Sequence, residues 1–139
     1  MELTISALDL QNATQTIPDY GQPGRDHYQA IQVHDYLSVS FFRQPAEVKA
    51  ASSRIIDLFQ RVYPETVLYK YFVNVPMVMQ WMMGAMKMLL SKDTVQKMTW
   101  TSYSDLTAYL GPEVAKEYGG TGRSLEEVGE TVNYDDTGL

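Results

Sequence analysis

A chain of 139 residues holds one domain at most, and its 45% share of hydrophobic residues is enough for a packed core. The formal net charge of −6 argues against a nucleic-acid partner, which needs clustered Lys and Arg, and the lack of cysteine excludes disulfides, thiolate-held haem and cysteine zinc sites. Met1-Glu2-Leu3-Thr4 shows neither the basic start nor the long apolar run of a signal peptide.

Leu3, Ile5, Leu8 and Leu10 recur at mixed helical spacing, and residues 12–26, with Pro18, Gly21, Pro23 and Gly24, have the composition of a loop. From Ala30 to Phe42 the chain alternates. Ile31, Val33, Leu37, Val39 and Phe41 fall on one side, and Gln32, His34, Tyr36, Ser38 and Ser40 on the other, which predicts a strand with a core face and a polar, uncharged face. Pro45 opens a predicted helix with the apolar stripe Val48, Ala51, Ile55, Ile56, Phe59 and Val62, and Pro64 ends it.

Leu68 to Val75 is nearly continuous in aromatic and β-branched residues, as expected of a central strand buried on both sides. Pro76 starts a helix in which Met77, Met79, Met82, Met83, Met86 and Met88 join Val78, Trp81, Ala85, Leu89 and Leu90, so apolar surface covers nearly its whole circumference. Packing in a core on all sides is the default for such a helix; a lid over a hydrophobic ligand is the other solution, because unbranched thioethers repack around varied shapes. The stretch is interrupted by Gln80 and Lys87 and falls short of the ~20 apolar residues of a membrane span, so the protein is expected to be soluble, or peripheral at most. A turn at Ser91-Lys92-Asp93, a short strand from Lys97 to Thr101 and a helix from about Ser104 to Leu110 follow. The acidic residues 122–139 have few apolar anchors and are expected to be an unstructured, flexible tail. The series βαβαβα predicts an α/β fold with a mostly parallel sheet and helical crossovers.

His34 and Tyr36, two apart on a strand, share a face and are expected to line a cavity. Such a pair serves equally well as hydrogen-bonded core. As a site, it offers a phenol whose phenolate form suits ferric iron and an imidazole able to hydrogen-bond that oxygen or approach the iron from the side. Lys70 inside a buried strand is costly unless it meets an anion or snorkels to solvent. Read by themselves, Glu65 caps a loop and Lys97 is one of several solvated surface lysines.

In order and spacing, Tyr63-Pro64-Glu65, then Tyr71-Phe72-Val73-Asn74-Val75-Pro76, then the methionine stretch, then Glu117-Tyr118-Gly119-Gly120 resemble the C-terminal half of the CRAL-TRIO lipid-transfer domain. Val33-His34-Asp35-Tyr36 narrows the resemblance to the fungal phosphatidylinositol transfer proteins of that family that also bind haem, over about residues 1–120. The resemblance implies a partial CRAL-TRIO domain over 1–121 and a chain that opens mid-helix, without the family's N-terminal helical lobe. It implies haem b with Tyr36 as axial ligand, His34 beside it and Lys70 near the porphyrin. It implies phosphatidylinositol headgroup contacts at Glu65, Thr94 and Lys97, and a gate helix, probed at Met82 and Met86, that opens toward a transient membrane surface. The function so implied is a non-enzymatic carrier, linked to phosphoinositide homeostasis and oxidant stress, cytoplasmic and peripheral on endoplasmic reticulum membranes. A ligand-free α/β interaction module, a truncated product without activity and a haem-dependent peroxidase-like enzyme are the alternatives.

Overall fold

The computed structural model describes residues 2–19, 22–38, 45–47, 50, 51, 54, 58 and 66–130. The chain divides into two compact units, residues 1–101 and 102–139.

In the first unit a short helix α1 (Glu2–Ala7) opens the chain, and positions 46, 47, 50, 51, 54 and 58, together α2, are helical where a helix after Pro45 is expected. The strands β1 (Ala30–Asp35), β2 (Val67–Val73) and β3 (Met98–Trp100) form one parallel sheet in the order β1-β2-β3. The central place of the aromatic strand agrees with its composition. Register pairs Gln32 with Lys70 and Lys70 with Met98, and pairs His34 with Phe72 and Phe72 with Trp100. Paired residues of parallel strands share a face, so these residues stand together, and Val33, Tyr71 and Thr99 stand on the opposite one.

That opposite face holds the core, with Tyr71, Val73 and, just beyond the strand, Val75 buried. The expectation that β2 is buried on both sides is corrected: Leu68 and Tyr69 are exposed, and Lys70 and Phe72 only half-buried. β1 also stops earlier than the alternation predicts. The Asp35 carboxylate accepts from the Leu37 N–H and from Asn74 Nδ2, both at 2.9 Å, and this turns the chain while the Tyr36 N–H still donates to the Val73 carbonyl at 3.1 Å. Residues 39–42 of the expected strand lie outside the described residues.

After β2 the chain turns through Asn74 at φ 54°, a left-handed conformation that Asn tolerates better than most residues. The Val75 N–H ties the turn to the Thr101 carbonyl at 2.9 Å. α3 (Met77–Lys87) then leads to α4 (Lys92–Gln96), whose N-cap Ser91 accepts from the Thr94 N–H at 3.2 Å. Among the described residues no helix is long and apolar enough to cross a membrane.

The second unit contains α5 (Thr107–Leu110) and α6 (Leu125–Val128). α5 is shorter than expected because the Asp105 carboxylate accepts from the Thr107 N–H at 2.8 Å and holds residues 104–106 in a loop. Leu106 and Tyr118 are buried, and the Leu106 N–H donates to the Tyr118 carbonyl at 3.0 Å. The Gly-Gly after Tyr118 is required sterically. Gly119 has φ 82° and a Cβ there would stand 2.8 Å from Asp105 Cγ, while a Cβ on Gly120 would land on the Val114 carbonyl.

The stretch expected to be an unstructured tail is ordered at its start. Gly122 bridges to Ala115, and α6 carries a reciprocal cap in which Ser124 accepts from the Glu127 N–H at 3.3 Å and Glu127 accepts from the Ser124 N–H at 3.0 Å. The Leu125 N–H adds a bond to the Glu117 carboxylate at 3.1 Å. Local hydrogen bonding organises this segment without apolar anchors; residues 131–139 lie outside the described residues.

Candidate functional site

The face of the sheet away from the core is built on aromatic rungs. His34 stacks on Phe72 with ring centroids 5.0 Å apart, Phe72 stacks on Trp100 at 5.7 Å, and Tyr36 lies 6.2 Å from Phe72. Strand register alone produces this row, because side chains on paired positions are neighbours across the sheet. Lys87 of α3 closes the far end, its Nζ 4.4 Å from the Trp100 ring centre, in a cation–π contact. Gln80, Met83, Gly84 and Lys87 enclose a cavity of about 170 Å³ with Trp100.

The electrostatics of the row follow from partial burial beside a cation. Desolvation, and then the positive charge of Lys70, hold the His34 imidazole below its usual pKa, so it is neutral near pH 7. Burial pushes the Tyr36 phenol up, which opposes the phenolate. His34 remains open to solvent and Tyr36 is half-buried, so the expected hollow is here an open wall. Among the described residues no cluster of three His, Cys, Asp or Glu side chains forms a metal site.

A larger cavity, about 660 Å³, lies at the start of β2 and β3 beside α4. Thr94 and Lys97, singled out from the sequence, both line it, together with Ser91, Asp93 and Gln96. Lys70 lines it too, and at the same time shares the sheet face of His34. The expectations for Lys70, a place near the porphyrin or a path to solvent, do not include this cavity. Ser91 and Asp93 were missed as wall residues although Ser-x-x-Thr is a visible cap signal; Ser91 Oγ and Thr94 Oγ1 lie 2.8 Å apart, so the cap fixes the threonine at the cavity. Glu65 lies outside the described residues.

α3 is not packed on all sides, contrary to the default expectation. Met79 and Met83 are half-buried, whereas Met77, Trp81 and Met88 are 82%, 71% and 87% exposed. The side chains of Met82 and Met86 lie outside the described residues. An apolar helix with one bare side is the feature that core packing does not explain.

Comparison with known proteins agrees with this architecture. The chain is 45% identical over 136 residues to the phosphatidylinositol transfer protein SFH5 of Phaeosphaeria nodorum, covering 97% of this chain and 41% of that protein. It is 50% identical over 138 residues to the phosphatidylinositol transfer protein sfh5 of Sclerotinia sclerotiorum, covering 96% of this chain and 32% of the relative. A crystal structure of Sfh5 superposes with a TM-score of 0.57 at 32% identity, over 77% of this chain and 38% of that one. The chain therefore spans about a third to two-fifths of the length of these relatives. The model of the CRAL/TRIO domain matches residues 7–120, most of the sequence, and the chain belongs to that family.

Proposed function

We propose that this chain forms part of a non-enzymatic carrier that binds phosphatidylinositol, with the headgroup in the cavity at the start of β2 and β3. The convergence of Lys70, Thr94 and Lys97 on that one cavity carries the reading. Two ammonium groups and a hydroxyl suit a phosphodiester, and the Asp93 carboxylate suits inositol hydroxyls. The volume of about 660 Å³ lies in the range of small-molecule sites, roughly 300–1,000 Å³. The bare side of α3 then meets the membrane during exchange, as a lid. The reading extends to a cytoplasmic protein, peripheral on endoplasmic reticulum membranes, a location supported by the family resemblance alone. Transfer of labelled phosphatidylinositol between vesicles is expected to fall about tenfold on Lys97→Ala combined with Thr94→Val, the cost of losing a charge-assisted contact. Unchanged transfer would overturn the headgroup assignment.

The aromatic face favours a second ligand. Phenol, neutral imidazole and ammonium stand on one side of the sheet at Tyr36, His34 and Lys70, a donor set that fits a ferric porphyrin with propionates. Tyr36 would hold the iron, His34 would hydrogen-bond beside it and Lys70 would pair with a propionate. Bound haem would supply a ferric centre, and the raised phenol pKa means that Tyr36 keeps its proton until then. Titration with hemin is expected to give a Soret band that Tyr36→Phe abolishes. A band of equal strength in the variant would remove Tyr36 from the site.

A further inference from the structure

We propose that, among the methionines whose side chains the structure describes, Met77 and Met88 are the most oxidation-sensitive sulfurs, and that their conversion to sulfoxides lowers the affinity of α3 for a lipid surface. The second half rests on the lid reading above; the first stands on the geometry alone. Met77, Trp81 and Met88 are four and seven residues apart, which at 3.6 residues per turn places all three within an arc of about 40°. Met88 follows the last helical residue but continues the turn, its N–H donating to the Ala85 carbonyl at 3.2 Å. These sulfur side chains, 82% and 87% exposed, flank an exposed indole on the one side of α3 that nothing in the described structure covers. Met79 and Met83 on the other side, and Met98 in β3, are half-buried.

Oxidation of a thioether needs the peroxide oxygen to reach a sulfur lone pair, so exposure orders the rates. The step balances with a hydroperoxide as co-reactant. The O–O bond breaks, one oxygen bonds to sulfur, sulfur loses two electrons, and the other oxygen leaves with a proton as water or an alcohol. Each sulfoxide places a strong hydrogen-bond acceptor where the lid reading requires contact with acyl chains, and desolvating that oxygen opposes insertion.

The full chain would be treated with limiting hydrogen peroxide, digested and mapped, and its flotation with vesicles of phosphatidylcholine and a little phosphatidylinositol measured. Sulfoxides are expected at Met77 and Met88 before Met79, Met83 and Met98, with flotation reduced about tenfold. Methionine sulfoxide reductase should restore it, and in a Met77→Leu/Met88→Leu variant, which lacks these sulfurs, peroxide should leave flotation at that variant's own untreated level, whatever that level is. Sulfoxides spread evenly over Met77, Met79, Met83, Met88 and Met98 or first at Met79, Met83 or Met98, undiminished flotation of oxidised protein, or equal loss in the leucine variant would each overturn the proposal. Untreated protein that does not float would overturn the lid reading and the switch with it. Failure of the switch alone is distinct, because untreated protein then floats.

Discussion

His34 shows how much of this site is set by neighbours. Its alternation with Tyr36 put both on one face in the sequence, but only register with Phe72 stacks the imidazole on a ring at 5.0 Å and brings the Lys70 charge to bear. Folding therefore strips a proton from this residue. The unfolded chain holds it up to about pH 6.5, the folded one releases it at lower pH, so the unfolded state binds more protons in the window just below 6.5. Stability is expected to rise with pH through that window and to fall as acid titrates the folded imidazole. A thermal-melt profile from pH 5 to 7.5 should lose part of its slope in His34→Asn; an identical slope would assign the dependence to other groups.

Among the elements, the junction of β2 and α3 carries the most local information. Asn74-Val75-Pro76 places a residue tolerant of positive φ, a buried anchor and a helix-starting proline in a row, and the structure uses each: φ 54°, burial of Val75, and α3 from Met77. Asn74→Ala loses the 2.9 Å bond to Asp35 and keeps a Cβ in the left-handed region, and is expected to cost about 1–3 kcal/mol in urea denaturation. Asn74→Gly should cost less, because only the bond is lost. Equal costs would show that the backbone conformation contributes nothing. The same local logic failed for β1 and the expected tail. Asp35 and Ser124 act through side-chain bonds to nearby backbone, which apolar periodicity does not register.

For the molecule as a whole, the formal net charge of −6 opposes approach to an anionic membrane even where a local site offers lysines. If the lid reading holds, adding salt should strengthen flotation with phosphatidylinositol-containing vesicles, by screening that repulsion over a Debye length of ~10 Å at 0.1 M. Weaker flotation at higher salt would instead point to a cationic patch as the dominant contact.

The order of strands and helices, the parallel sheet and the central aromatic strand were settled by the amino-acid pattern alone, because each depends on periodicity or proline placement within a few residues. Tertiary structure decided what depends on register and docking between distant segments. It brought Lys70 to the cavity of Thr94 and Lys97 as well as to the face of His34, ran the ring row from His34 to Trp100, and left one side of a helix apolar all round facing outward. Those pairings join residues 24 to 66 positions apart, and hydrophobic spacing within one segment holds no record of which other segment it will lie against.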